Sequence, residues 1–299
     1  MHWTWLGLLP LAVAHAAPES VPPTAIPPQA LEVAAEVRHE PLADRVAAIS
    51  EAFVGRDYVL DAAGEGHGTD PDPPARYDAF DCVTFTEEVL ALAMSGEPTH
   101  AAFTRQAMRY DGEITDYAYR NHFMELQWIP NNVEAGFLED ITGQLGPTRQ
   151  LSMKVDDTTW RNWGRRSLFE LTDEQLPTGT MSLDILPLPQ AIEHADQVPP
   201  GSVIMTVREP RAGVPLWITH VGIAIRGDDG VMHMRHATKM GSGSVTDHRL
   251  HWYLNHIASA YKRWPAAGIA VFAPREQGPR LSALQQPPDA AGVAVPDPR

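Results

Sequence analysis

An α+β fold, with helices packed on an antiparallel sheet, is the architecture that the sequence predicts. Apolar side chains recur every three to four residues over 42–54 and 81–94, which is the spacing of one helix face. After Pro200 the pattern changes to short apolar or alternating runs that are typical of strands, at residues 202–207, 219–225, 231–236 and 269–272. Because the helices come first and the strands follow, the order favours α+β over an alternating α/β fold.

Composition divides the 299 residues into one domain with two tails. No repeat and no internal linker rich in Pro, Gly or Ser interrupts residues 41–275, which we interpret as a single domain. Residues 17–40 and 276–299 are rich in Pro and Ala and have little periodicity. This composition predicts a disordered linker before the domain and a disordered tail after it.

The first 16 residues have the pattern of a secretory signal peptide. An apolar run ends at Ala14-His15-Ala16, which is the small-residue pattern that signal peptidase cuts after. We therefore expect residues 1–16 to be removed and the mature protein to be periplasmic or secreted. No other segment approaches the roughly 18 consecutive apolar residues of a membrane span, so no stable membrane insertion is expected after cleavage.

Cys82 is the single cysteine of the chain. An unpaired thiol is unusual in an oxidising compartment and calls for an explanation. Asp81 is a plausible helix N-cap, which would make Cys82 the first helical residue, where free backbone N–H groups and the helix dipole stabilise an anion. One interpretation is a nucleophile whose pKa is lowered below that of a free thiol. The other is a small core residue that continues the apolar stripe of the helix.

Two histidines lie at the ends of a predicted hairpin. His220 begins one strand, His236 ends the next, and residues 226–230 (Arg-Gly-Asp-Asp-Gly) form a turn signal between them. If residues 226 and 230 close a three-residue loop, His220 lies opposite His236 on the same face. A two-residue loop at 228–229 would instead turn His236 to the other face. In the first register, Cys82 and the two histidines can form a chain of nucleophile, base and orienting residue.

The segment Phe80-Asp81-Cys82-Val83-Thr84-Phe85 resembles the Asp-Cys helix start of the NlpC-type peptidoglycan hydrolases, and more specifically of the N-acetylmuramoyl-L-alanine amidase-like family within that superfamily. Further segments fit this family in order, and together they span about residues 45–273. They are Gly55-Arg56-Asp57-Tyr58, Arg120-Asn121-His122-Phe123, Trp128-Ile129-Pro130-Asn131-Asn132, Thr219-His220-Val221-Gly222 and Arg235-His236-Ala237-Thr238.

The resemblance implies a papain-like α+β fold with the nucleophile at a helix N-terminus. It assigns Cys82, His220 and His236 to a Cys-His-His triad and places Tyr58 where a tyrosine hydroxyl borders the active site. The matching segments also suggest substrate contacts from Asp81, Arg120, His122, Trp128 and Asn132.

The same resemblance implies a substrate and a reaction. The substrate would be peptidoglycan fragments or the sacculus, and the reaction would cleave an amide bond of the peptide through an acyl-enzyme. Both N-acetylmuramoyl-L-alanine amidase and γ-D-glutamyl endopeptidase activity fit the superfamily. Neither a cofactor nor a metal ion is expected.

Other functions are less consistent with the sequence. A net charge of −15 without a basic cluster argues against nucleic acid as a partner. A non-catalytic peptidoglycan-binding module would not need the intact triad. A periplasmic metal-binding protein is suggested by the 13 histidines, but His233 and His236 would point to opposite faces of a strand. Trp128, Trp160 and Trp163 are either a stacking floor for sugar rings or core aromatics.

Overall fold

A computed structural model describes residues 24–95 and 97–277 of the chain. Over these residues the helices are α1 Pro28–Glu36, α2 Leu42–Glu51, α3 Cys82–Met94, α4 Ala101–Arg109, α5 Ile129–Glu134, α6 Asp157–Asn162, α7 Leu188–Glu193 and α8 Leu250–Ala260. The strands are β1 Asp57–Tyr58, β2 Ala79–Phe80, β3 Leu138–Asp140, β4 Arg149–Val155, β5 Gly179–Pro187, β6 Val203–Arg208, β7 Ile218–Arg226, β8 Met232–Thr238, β9 Ser244–Arg249 and β10 Ala266–Pro274. A π-helical turn over Met124–Trp128 leads into α5.

These strands form one ten-stranded sheet, in the order β2-β1-β9-β8-β7-β6-β10-β5-β4, with β3 paired to β10. The predicted mixed fold of helices and a sheet is therefore present. The sheet is not wholly antiparallel, because β1 and β2 run parallel. Strands β6 to β9 form the antiparallel centre that carries the histidines.

Apolar side chains cover both faces of this sheet. Alternate residues of β6 belong to different clusters, with Val203 and Met205 in one and Ile204 in the other. Helices α1 to α6 contribute to the first cluster, whereas α7 and α8 contribute to the second. The period-two alternation of a strand thus divides the core into two layers.

Helix α3 is buried on all sides, because every residue from 84 to 94 is buried. Its apolar stripe was predicted, and the rest of its surface is covered as well. Glu87 and Glu88 lie between α3 and α4. Arg109 Nε donates to Glu87 Oε2 at 2.6 Å, and Arg105 Nη1 donates to Glu88 Oε2 at 3.1 Å. Two ion pairs inside the core hold these two helices together.

The expected disordered linker over 17–40 is wrong in its second half. Helix α1 covers Pro28–Glu36 and packs its small residues Ala30 and Ala34, which are 0% and 4% exposed, into the core. Alanines four residues apart lie on one helix face, so even a weakly apolar segment can dock closely. The start of the expected tail is also ordered, since Glu276 pairs with Arg45 at 2.6 Å. The expected signal peptide, 1–16, and residues 278–299 lie outside the described residues.

Several elements lie where the sequence pattern was hard to interpret. The hairpin of β4 and β5 falls within the mixed region between residues 112 and 188, and β9 and α8 follow the predicted histidine hairpin. No helix in the described part of the chain has the length and hydropathy to cross a membrane.

Candidate active site

Cys82 is the first residue of α3, as the sequence predicts. Asp81 Oδ1 accepts hydrogen bonds from the backbone N–H groups of Val83 at 2.9 Å and Thr84 at 2.8 Å. The Thr84 hydroxyl accepts in return from the Asp81 backbone N–H at 3.0 Å, which completes a capping box. The cap fixes the start of the helix and leaves the half-buried thiol beside it.

The thiol of Cys82 does not have the lowered pKa that its helix position predicts. Burial, together with the neighbouring Asp81 carboxylate, raises the pKa of Cys82 to about 12. Backbone N–H groups, first that of Val221, act in the opposite direction. The prediction considered only the helix dipole. The N-cap residue Asp81 also places a negative charge next to the sulfur, and this charge opposes ionisation of the thiol. The resting cysteine is a neutral thiol.

A β-bulge positions His220. The pairing of β6 with β7 shifts between Thr206 opposite His220 and Val207 opposite Ile218, so Thr219 is the extra residue. Bulges bend a strand and redirect the next side chain, and they are frequent beside active sites. Buried Glu125 accepts hydrogen bonds from the backbone N–H groups of Trp217 and Ile218, which fixes the start of this strand.

The register of the histidine hairpin differs by two residues from the prediction. Arg226 pairs with Met232 and Ala224 with Met234, so the loop has five residues instead of three. A shift of two keeps both histidines on one face. His220 and His236 are therefore diagonal neighbours, and His220 Nε2 lies 2.6 Å from His236 Nδ1. The predicted contact is present, although the pairing that was expected to create it is wrong.

A third histidine extends this contact. Strand β9 pairs His236 with Thr246, which makes His248 the next diagonal neighbour on the same face. His236 Nε2 lies 2.8 Å from His248 Nδ1. We call His220, His236 and His248 the histidine chain. It crosses three adjacent strands, and each imidazole contacts the next through a ring nitrogen.

Burial keeps the histidine chain neutral. It lowers the pKa of His220 to about 4, with a smaller contribution from the Arg208 cation. The pKa of His236, whose ring is 0% exposed, is lowered by burial and by the histidines on either side. Burial and the nearby His256 lower the pKa of His248, while Asp247 opposes the shift. Neutral imidazoles can each accept at one nitrogen and donate at the other.

Gly222 allows His220 and His236 to approach each other. A Cβ atom at this position would lie 2.9 Å from His236 Cβ and 2.6 Å from Met234 Cε. Both distances are shorter than any ordinary carbon contact. The glycine of the Thr-His-Val-Gly segment therefore has a packing reason: it opens the space that the ring of His236 occupies.

Two cavities lie near Cys82. The first, about 180 Å³, is lined by ten residues that include Tyr58 and His220. They are Tyr58, Thr206, Arg208, Thr219, His220, Thr238, Lys239, Met240, Tyr253 and Tyr261. The second, about 220 Å³, includes Asp81 and Val83, which are the chain neighbours of Cys82. Burial raises the pKa of Tyr58 and of Tyr253 in the first cavity, and the nearby Cys82 adds to both shifts. Cys82 is therefore close to residues of both cavities.

The predicted substrate residues divide between these cavities and the core. Tyr58 lines the first cavity, and Asp81, Arg120 and His122 line the second. Arg120 already binds carboxylates, since its Nη2 lies 2.7 Å from both Glu65 Oε1 and Asp70 Oδ2. His122 Nε2 contacts the Tyr117 carbonyl oxygen at 2.7 Å, and burial lowers the pKa of His122 to about 4.

Trp128 and Asn132 are internal residues. Trp128 is 1% exposed and its Nε1 donates to Glu87 Oε1 at 2.9 Å. The Asn132 amide donates to the carbonyl oxygens of Met108 and Trp128. Trp160 and Trp163 are 2% and 7% exposed, so the core interpretation of the tryptophans is favoured over a sugar-stacking floor. Trp128 and Asn132 both have hydrogen-bond partners within the protein, and neither lines either cavity.

Several residues of the site were missed from the sequence. Arg208 lies at the end of β6, with its guanidinium 3.6 Å from the Tyr261 ring centre and its Nε donating to the Thr219 hydroxyl at 2.9 Å. Lys239 Nζ lies 5.4 Å from the Tyr58 ring centre. For His248, the run Val245-Thr246 before it is a strand signal that could have identified β9. Arg208 and Lys239 have no sequence signal, because only the fold brings them to the cavity.

The histidines do not gather around a common point. Among the described residues, no group of three or more His, Cys, Asp or Glu side chains has the arrangement of a metal site. His233 is on the opposite face from the histidine chain, as its position in the strand predicts, and lies 3.4 Å from Asp229 Oδ1.

Solved structures with similar folds come from Legionella pneumophila and Bacteroides uniformis. Protein LPG0564 from Legionella pneumophila is 25% identical with a TM-score of 0.70, over 82% of this chain and 94% of that one. An N-acetylmuramoyl-L-alanine amidase from Bacteroides uniformis is 21% identical with a TM-score of 0.60, over 79% of this chain and 99% of that one. The second likeness is one of fold, because its identity is low.

Comparison with family models gives a more specific result. No curated protein matches the chain. The model of the N-acetylmuramoyl-L-alanine amidase-like (AmiA-like) family matches residues 48–260, which include Cys82 and the whole histidine chain. This match extends over well more than half of the sequence, and the chain belongs to the N-acetylmuramoyl-L-alanine amidase-like family.

Proposed function

We propose that this protein is an exported cysteine hydrolase that cleaves an amide bond in peptidoglycan peptides, with residues 41–275 as its catalytic domain. The observation that carries the proposal is the position of Cys82, at a capped helix start whose neighbours Asp81 and Val83 line a cavity, and beside the strand that bears His220. Family membership supports the amide bond and the cell-wall substrate. We further propose a papain-like fold of the NlpC superfamily, and action in the periplasm or outside the cell.

In the proposed first step, Cys82 Sγ attacks the amide carbonyl carbon. Because the thiol is neutral at rest, its proton must leave as the C–S bond forms, and it passes to His220 Nδ1. His220 Nε2 is held by His236, so Nδ1 is the ring nitrogen that this contact leaves for the thiol. The carbonyl π electrons move to oxygen, where the backbone N–H of Cys82, which the Asp81 cap does not use, can stabilise the charge.

Tyr58 is a second candidate donor to this oxygen. Burial, with the charges of Cys82 and Asp81, raises the pKa of Tyr58 to about 12. A phenol with a raised pKa keeps its proton at neutral pH and can donate it in a hydrogen bond. His220 then gives its Nδ1 proton to the leaving amine as the C–N bond breaks, which leaves a thioester on Cys82.

In the second step, water attacks the thioester carbonyl while His220 Nδ1 takes the water proton. The C–S bond breaks, the carboxylic acid is released and the thiolate recovers a proton from His220. His236 holds the ring of His220 in one orientation throughout. This sequence requires no metal ion.

The charge of the first cavity supports an anionic substrate. Its ten lining residues include Arg208 and Lys239 and no Asp or Glu, in a chain whose net charge is −15. The γ-linked D-glutamate of peptidoglycan peptides has a free carboxylate that these cations can attract. The same argument fits an amidase that cuts before L-alanine and an endopeptidase that cuts after γ-D-glutamate.

Mass spectrometry of defined muropeptides after digestion would test the function and identify the bond. We expect the wild-type protein to release peptide, and Cys82→Ser or His220→Ala to lower turnover by at least about 10³-fold with the fold retained. His233→Ala, on the opposite face of the same hairpin, is the matched control and should be near neutral. Retained turnover in the Cys82 or His220 variant would remove this mechanism. Binding without turnover by the wild type would favour the peptidoglycan-binding module.

A further inference from the structure

The histidine chain does not end at His236. Its outer member, His248, contacts His236 by a ring nitrogen at 2.8 Å and is itself partly exposed. In a three-residue triad, the far nitrogen of the orienting residue needs only a solvent or backbone partner. Here a side chain occupies that position.

The ring of His248 is fixed from a second direction. Trp252, from the first turns of α8, stacks on it with ring centres 4.9 Å apart and planes 18° apart. Trp252 is stacked in turn on His256, at 5.1 Å and 18°. Tyr253, the next residue of α8, contacts the edge of His236 at 5.4 Å between ring centres. Helix α8 therefore holds the outer two rings of the chain in place.

Hydrogen-bond donors must alternate along such a chain. If His220 Nδ1 is to accept the proton of Cys82, the ring hydrogen of His220 must be on Nε2, where it donates to His236 Nδ1. The hydrogen of His236 must then be on Nε2, and it needs an acceptor, which is His248 Nδ1. An imidazole at 248 with its hydrogen on Nε2 completes this arrangement.

We propose that His248 is a positioning residue that selects the tautomer of His236 and, through it, keeps His220 Nδ1 free to act as the base. This inference rests on the proposed function, because it concerns the same base. His248 is not among the described residues that line either cavity. Its loss therefore lowers kcat and leaves KM unchanged.

Substitutions at 248 test this role by the groups they retain. His248→Leu removes the acceptor and should lower kcat about tenfold, the effect of one hydrogen bond that orients a reacting group. His248→Asn, whose side-chain oxygen lies near the position of Nδ1, should recover most of that loss. His256→Leu, which removes a stacked ring without touching the chain of hydrogen bonds, is the control and should be neutral.

A double-variant cycle separates positioning from simple packing. His236→Asn can still accept from His220 but cannot reach His248, so adding His248→Leu to it should cause no further loss of kcat. A packing role for His248 would instead give additive losses, and it would give no recovery in His248→Asn. Either result would overturn the inference.

The failure of the inference and that of the proposed function are distinguishable. Equal muropeptide turnover by the wild type and Cys82→Ser would refute the hydrolase itself. Loss of turnover in Cys82→Ser with wild-type kcat in a folded His248→Leu would refute only the role of His248. If His248→Leu does not fold, His248→Asn decides: a kcat near that of the wild type supports the acceptor role, and a tenfold drop in both the wild-type and the His236→Asn backgrounds contradicts it.

Discussion

Two buried polar regions of this protein differ in whether their side chains are charged. Between α3 and α4, Glu87 and Glu88 face Arg105 and Arg109, so each buried charge has an opposite charge. Among the described residues none of the three rings of the histidine chain is ion-paired with a carboxylate, and burial lowers the pKa of His220 and His236. The first region keeps its charges and the second loses them.

This difference separates a structural network from a proton acceptor. Arginine paired with glutamate inside a core is held in one charge state and cannot exchange protons near neutral pH. A buried imidazole without a countercharge is neutral and has a nitrogen free to accept. We therefore expect the ion pairs to contribute to stability and the histidines to catalysis.

The largest effect is expected for the ion pairs. Arg109→Met leaves Glu87 with a buried charge that no cation neutralises, and should lower the free energy of unfolding by about 3–5 kcal/mol. Arg149→Met, which breaks an exposed pair with Glu209, is the matched control and should cost at most about 1 kcal/mol. Chemical denaturation measures both. Equal losses would show that the buried ion pairs between α3 and α4 stabilise the protein no more than an exposed pair does.

A smaller effect is expected for the pH dependence of stability. The pKa of His220 is about 4 in the folded protein and near 6.5 when unfolded, so the unfolded chain binds the proton first as the pH falls. The contribution of His220 to the free energy of unfolding is therefore fully present above about pH 6.5 and is lost as the pH falls to about 4. His220→Asn should reduce the loss of unfolding free energy between pH 7.5 and 4.5 by about 1–2 kcal/mol, allowing for partial solvent exposure. An unchanged pH slope would mean that the ring is not neutralised by burial.

The smallest change is expected in the reactivity of the thiol. Because burial and Asp81 raise the pKa of Cys82, alkylation by iodoacetamide should have a midpoint above the roughly 8.5 of a free cysteine. Labelling of native protein across pH, with urea-unfolded protein as the reference, measures it. A midpoint below that of the unfolded chain would indicate a thiolate paired with a charged His220. The histidine chain would then contain an ion pair, as the region between α3 and α4 does.

Local patterns were enough for much of the fold. The helix start at Asp81 and Cys82 follows from capping chemistry within four residues, and the apolar stripe of α3 follows from its period. The α+β order and the strands that carry His220 and His236 were predicted for the same reason. Cys82, His220 and His236 were chosen from positions along the chain, and the contact between the two histidines is present.

Other features depend on residues that are distant in sequence. The hairpin register shifted because the loop after Arg226 has five residues, and turn signals do not specify loop length. Arg120 lines the second cavity, and only the fold brings it against Glu65 and Asp70, about 50 residues away along the chain.

The residue types and their periodicity were sufficient to place Cys82 at a helix start and two histidines on one sheet face, because both depend on neighbours a few residues apart. The protonation states were not, because they depend on burial and on charges brought together by packing. The pKa of Cys82 rises and that of His220 falls for this reason. His248 joined the chain in the same way, since its contact with His236 exists only once β9 pairs with β8.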